Sequence, residues 1–230
     1  MLIYFIELRR RLIKYLICLS FCLLGSFYYS QNLLHQVLAP LLMTLTGDDK
    51  LVLTKIGDTI FLPLELALTC AIILSLPYAL WQLWQFVMPA LHKDERKIGR
   101  IFILAGQFLF VTGGIFGYKL ILPWMFNFLV QYRTPYLHLM LDADNAISLT
   151  LKMVLIFGLC FQLPLICMFL VWIEWVSSVQ LRSIRRYMLV GAFIVGMVLA
   201  PPDVCSQVLI AVPLYCLYEL GLILVKFSRL

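Results

Sequence analysis

"ISLTLKMVLIFGLCFQLPLICMFLVWI", residues 147–173, carries a single charge, Lys152, over more than the roughly 20 residues a helix needs to cross a bilayer. A run that is apolar all round has no polar side to turn to water, so it reads as a membrane helix rather than as the amphipathic helix of a soluble domain. Similar runs lie on either side of it, at about 12–29, 61–88 and 101–130 before it and at 187–200 and 204–225 after it. Hydrophobic residues make up 63% of the 230-residue chain and charged residues 13%, whereas a soluble domain carries about a quarter charged residues, so soluble fold classes are excluded. The expected fold is an all-α polytopic membrane protein with six transmembrane helices, spans 5 and 6 being short. The connections are brief and none is Gly/Ser- or Pro-rich, so residues 1–230 are expected to form a single integral-membrane domain.

Orientation follows from the placement of Lys and Arg. With the N-terminus inside, one side collects Arg9, Arg10, Arg11, Lys14, Lys93, Arg96, Lys97, Arg100, Arg182, Arg185, Arg186, Lys226 and Arg229, which is 13 of the 18 cations. Both termini are therefore expected in the cytoplasm. The net charge of +6 mostly reflects this asymmetry, and no nucleic-acid partner is expected. No small-residue cleavage site follows the first run within Phe27-Tyr28-Tyr29-Ser30-Gln31, so it reads as an uncleaved helix. The lack of a separate targeting peptide fits a bacterial inner membrane, and an organelle-encoded protein would look similar.

A pump or proton-coupled carrier keeps ionisable groups at membrane depth, where they are costly unless they serve transport. Here Lys14, Glu65, Lys119 and Lys152 fall near the ends of the runs, where they can snorkel to the surface. Only Gln162, in "FGLCFQLPL", and Glu219, in "PLYCLYELG", lie deeper. Gln162 suits a hydrogen bond between helices, and Glu219 an ion pair with a cation on its own side such as Lys226. One carboxylate and one amide do not make a proton relay. A small-molecule or ion secondary transporter is the alternative of a different class, but no convincing repeat relates residues 1–115 to 116–230. His35, His92 and His138 lie in loops or at helix ends, and neither H-E-x-x-H nor G-x-S-x-G occurs, so no catalytic set, metal site or cofactor is expected. The seven cysteines include no C-x-x-C and read as small buried hydrophobes.

Pro77, Pro123, Pro164 and Pro213 fall inside apolar runs and predict kinks, while Gly113, Gly114 and Gly117 predict close helix packing. Between Arg186 and Pro201 only 14 residues are available, about 21 Å of helix against a hydrocarbon core of about 30 Å. Such a helix is matched by thinning the bilayer or by recruiting partners.

"FIELRRRL", residues 5–12, sets one carboxylate, Glu7, just before three arginines. Its spacing allows an i,i+4 pair with Arg11. This stretch also resembles the H-L-x-E-L-R-x-R-L opening of the TatC family, the receptor subunits of the twin-arginine protein translocase. "LPYALWQLWQFVMPALHKDER" (76–96) is similar to that family's second helix and first cytoplasmic loop, and "RRYMLVGAFIVGMVLAPPDVCSQVLIAVPLYCLYELG" (185–221) to its last two helices.

The resemblance implies a six-helix inner-membrane protein that is not an enzyme. It would bind folded precursors through a signal peptide bearing S-R-R-x-F-L-K, self-associate in a receptor complex, and work with small single-span subunits of the TatA/TatB type, driven by the proton-motive force. Carried over by position, Glu7 and Glu95 would receive the arginine pair, Arg9 would brace the site, and Phe86 would pack the apolar part of the signal. Gln162 and Met197 would meet the partner helix. Pro40, Tyr118 and Asp203 match landmarks, Asp203 as a helix cap. Guanidinium is planar and pairs bidentately with carboxylate, which separates Arg from Lys by geometry. Gln162 occupies a position where the family carries glutamate or glutamine, and an amide cannot titrate. Glu65 stands where some members carry lysine, and Tyr4 replaces the usual histidine.

Overall fold

The computed structural model describes residues 2–42, 50–52, 58–87, 96–131, 140–199 and 204–228. Ten α-helices are found among them: α1 Leu2–Tyr28, α2 Ser30–Leu42, α3 Asp58–Val87, α4 Arg96–Phe116, α5 Leu122–Gln131, α6 Ala143–Cys160, α7 Leu163–Trp172, α8 Ser178–Ser183, α9 Arg185–Leu199 and α10 Val204–Ser228. The all-α reading stands, with one small addition. Strands β1 Lys50–Val52 and β2 Met140–Asp142 pair in parallel over three residues, Leu51 opposite Leu141.

Among the described residues, five segments are long and apolar enough to cross a membrane: Ile6–Tyr28, Phe61–Leu83, Ile101–Phe128, Ala143–Trp172 and Val204–Phe227. The expected fifth span, α9, has 15 residues, about 22 Å. Of the two spans expected to be short, only this one is. Helix α10 runs for 25 residues: Ser206, Gln207 and Glu219 make its apolar run less uniform without interrupting the helix.

Proline accounts for the two interruptions inside spans. A proline ring clashes with the carbonyl four residues earlier. Pro123 opposes Lys119, and the turn Gly117–Ile121 between α4 and α5 opens into a π-helix. Pro164 opposes Cys160, where α6 stops, and the chain re-enters helix at α7 after the turn Phe161–Gln162. In α3 and α10, Pro63, Pro77 and Pro213 are contained within a continuous helix.

The chain divides into two compact units. The first comprises residues 1–108 and 139–151. In it α1 lies along α3. Along α1, Arg11, Tyr15, Cys22 and Ser26 are withdrawn from the surface while Ile17, Phe21, Leu24 and Tyr28 are exposed, the period of one helix face. Tyr15 and Ser75 hydroxyls meet at 3.4 Å. The core joins Val37 of α2, Leu62, Leu66 and Cys70 of α3, and Ile147 and Leu151 of α6. Gln107 of α4 donates to the Pro77 carbonyl at 2.6 Å, which satisfies an amide inside a span.

The second unit comprises residues 109–138 and 152–230. A Cβ on Gly113 would sit 2.6 Å from the Phe157 carbonyl oxygen, so only glycine lets these helices approach as they do. Cys167 and Val171 of α7, Leu181 of α8 and Tyr218, Leu222 and Val225 of α10 form its core. Glu219 pairs not with Lys226, as the sequence suggests, but with Arg185 at 2.9 Å. Lys226 is seven residues along the same helix, about 10 Å away in rise. Tyr215 also donates its hydroxyl to Glu219, at 2.8 Å. Of the cysteines, Cys70 and Cys167 are buried as expected, but Cys205 and Cys216 are exposed on α10.

Candidate functional site

Glu7 and Arg11, one turn apart on α1, form an ion pair with Arg11 Nη2 2.6 Å from Glu7 Oε1. Arg11 Nε donates to the same oxygen at 3.2 Å. Among the described residues nothing donates to Oε2, and the Glu7 side chain is 35% exposed. The i,i+4 pairing that the spacing allows is therefore formed, on one carboxylate oxygen only.

The other half of the Arg11 guanidinium leaves α1 altogether. Nη2 donates to the Gln85 carbonyl at 3.1 Å, and Nη1 lies 3.3 Å from Gln85 Oε1 and 3.4 Å from both the carbonyl and side-chain oxygens of Gln82. The last four carbonyls of a helix have no intrahelical donor, and a cation is favoured beside them. Gln85 is two residues from the end of α3, so Arg11 caps that helix while it holds Glu7. Gln82 is itself fixed by its Nε2 donating to the Tyr78 hydroxyl at 2.7 Å.

These groups line a cleft of about 450 Å³ with Ile6, Arg10 and Lys14. Its described lining therefore carries three cations against one carboxylate.

The expected site residues separate as follows. Glu7 lines the cleft. Phe86 follows Gln85 on the last turn of α3; its side chain, like Glu95 and Asp203, is outside the described residues. Arg9 is exposed on α1 and is not among the residues that line the cleft. Pro40 is buried within α2. Gln162, Met197 and Tyr118 belong to the second unit. Gln162 is 4% exposed at the turn between α6 and α7, Met197 is exposed on α9, and Tyr118 lies half-buried in the π-helical turn. Among the described residues, no group of three or more His, Cys, Asp or Glu is placed to hold a metal ion.

Sequence reasoning passed over Gln82 and Gln85 and treated Arg11 only as a partner for Glu7. The signal was available in "WQLWQF" (81–86): two amides three residues apart, at the end of an apolar run, share one helix face.

A family model described as Sec-independent protein translocase protein (TatC) matches residues 4–213. The Sec-independent protein translocase protein TatC of Escherichia coli strain K12 is 37% identical over 224 residues, 97% of this chain and 86% of the relative. That of Deinococcus radiodurans strain R1 is 37% identical over 227 residues, 97% of this chain and 84% of the relative. A crystal structure of the twin arginine translocase receptor TatC superposes with a TM-score of 0.87 at 32% identity, covering 99% of this chain and 100% of that one. The chain belongs to the TatC family: it is a multi-pass membrane subunit of the Sec-independent protein translocase and not an enzyme.

Proposed function

We propose that the chain, acting as one membrane domain in a bacterial inner membrane with both termini cytoplasmic, binds the twin-arginine signal peptides of folded precursors at the α1–α3 cleft. The observation that carries this reading is Glu7, a carboxylate in an open cleft that already holds one guanidinium and keeps Oε2 without a donor among the described residues. An incoming arginine takes Oε2 and then the whole carboxylate. Arg11 remains attached through Gln82 and Gln85, so releasing Glu7 does not strand its charge. Lysine, a point charge, cannot reproduce the planar two-bond contact.

The cationic lining opposes a cationic ligand, and Glu95 of the following loop supplies the second acid. Arg9 and Phe86 flank the ligand, Arg9 steadying the loop and Phe86 meeting the apolar stretch of the signal. Small single-span subunits of the TatA/TatB type meet the second unit. Exposed Met197 on the short α9 supports that placement; buried Gln162 would act there by hydrogen bonding once neighbouring side chains part. Pro40 and Tyr118 have structural roles and Asp203 caps α10. The receptor self-associates, and the proton-motive force drives the movement of cargo.

The test is export of a folded reporter by cells relying on this protein, combined with binding of the free signal peptide. Glu7→Ala and Glu95→Ala should each abolish binding and export while the protein still accumulates, and a Lys-Lys signal should fail with the wild type. Export indifferent to both glutamates and to the Lys-Lys change would refute the reading.

A further inference from the structure

The connection between α7 and α9 joins an apolar span ending at Trp172 to a helix beginning at Arg185, so it lies at a membrane surface. Its backbone is firmly held. Glu174 adopts a left-handed conformation, φ 59°, that ends α7. The Leu170 carbonyl accepts from Trp175 N at 3.1 Å and from Val176 N at 3.4 Å, closing the helix end. Ser177 and Gln180 then form a reciprocal capping box at the start of α8. The inner side of α8 is fixed by Leu181, which is buried and accepts a hydrogen bond from the Tyr218 hydroxyl at 2.5 Å.

This rigid turn nevertheless turns apolar and cationic side chains outward. Trp175 is 79% exposed and Val179 73% exposed. Val179, Arg182 and Arg186 follow at helical spacing, and helical hydrogen bonding continues through Ile184, whose N–H bonds the Gln180 carbonyl while its own carbonyl bonds Met188. Arg185 is neutralised by Glu219. Arg182 and Arg186 have no carboxylate partner among the described residues; Arg186 lies over the neighbouring exposed Tyr187 ring at 5.1 Å. Exposed Lys226 adds a third cation next to Val225, which packs in the same core as Leu181. Besides Glu219, the carboxylate of this turn among the described residues is exposed Glu174, at its other end.

We infer that this turn is a binding site for the headgroup of an anionic phospholipid. Arg182 and Arg186 contact the phosphate, and Trp175 and Val179 enter the glycerol–acyl boundary. The site lies outside the α1–α3 cleft and does not depend on the signal-peptide reading. Two observations favour lipid over a soluble partner. Trp and Tyr are enriched at the bilayer interface, and the exposed apolar pair borders the end of a membrane span. Basic residues next to a span gain from anionic lipid by about fivefold in affinity each, so the two arginines together supply about twenty-fivefold.

The test uses the full-length protein reconstituted in phosphatidylcholine vesicles containing 20% brominated phosphatidylglycerol, or the same fraction of brominated phosphatidylcholine. Trp175 fluorescence is isolated by subtracting a Trp175→Phe variant. The expected result is stronger quenching by the brominated anionic lipid, with a preference that falls to near unity in Arg182→Gln/Arg186→Gln and is weakened by high salt. Both arginines are exposed, so the double variant should melt like the wild type. Equal quenching by the two lipids, or a preference that survives the double substitution, overturns the proposal. Trp175 unquenched by either lipid would mean that protein, such as a second copy of the chain, covers this face instead.

Discussion

Replacing Arg11 by alanine tests how the α1–α3 cleft is held. Three of its contacts are at 3.2 Å or shorter: two to Glu7 Oε1 and one to the Gln85 carbonyl. Hydrogen bonds of this kind contribute about 1 kcal/mol each, less where water screens them, and the contacts to Gln82 and the Gln85 side chain at 3.3–3.4 Å add little. Only the Gln85 carbonyl bond and the weaker amide contacts reach α3, so with the packing of the arginine stem included the variant should lose about 1–2 kcal/mol of local stability at the end of that helix. Arg11→Lys, which keeps one point contact, should lose about 0.5–1 kcal/mol. Hydrogen exchange on detergent-solubilised protein reads this directly. If the last turn of α3 opens locally, its amides should exchange about five- to thirtyfold faster in the alanine variant, with the middle of α3 unaffected. Exchange within threefold of wild type would show that Arg11 does not bind the two helices together, and the exchange of partners proposed for Glu7 would lose its basis.

Gly113→Ala should destabilise the protein by about 1–3 kcal/mol, because the new methyl meets the Phe157 backbone oxygen, which cannot move aside. Gly191→Ala, with nothing within 4 Å, should be neutral or up to about 1 kcal/mol stabilising; thermal unfolding of the pair checks both. Tyr218→Phe should cost about 1–2 kcal/mol by leaving the Leu181 carbonyl without its donor, whereas Tyr187→Phe, on an exposed ring, should change unfolding by less than about 0.5 kcal/mol. Lengthening α9 by five leucines should block export in cells while the protein still accumulates; transport that tolerates the insertion would remove any role for its shortness.

The spans were legible in the sequence because insertion into a bilayer depends on a sum over consecutive residues. The run 147–173 needs no partner to declare itself, and the 14 residues between Arg186 and Pro201 limit the fifth span to about 21 Å whatever packs around it. Proline rules located the two interruptions at Pro123 and Pro164, since the clash with the carbonyl four residues back is a local event, as at Lys119 and Cys160, but Pro77 and Pro213, expected to kink their spans, lie within continuous helices. Glu7 stood out because a lone carboxylate beside three arginines is conspicuous, and its bond to Arg11 follows from helix geometry alone. What the sequence left open were pairings across helices. Nothing in the order of residues distinguishes Arg185 from Lys226 as the partner of Glu219, or sends the Arg11 guanidinium to Gln82 and Gln85 more than seventy positions away. Such contacts depend on which face each helix turns to its neighbour, and that is decided by side-chain packing at sites such as Gly113 and Gln107. A membrane selects helices by their apolarity one at a time; only the assembled structure selects the polar groups that meet between them.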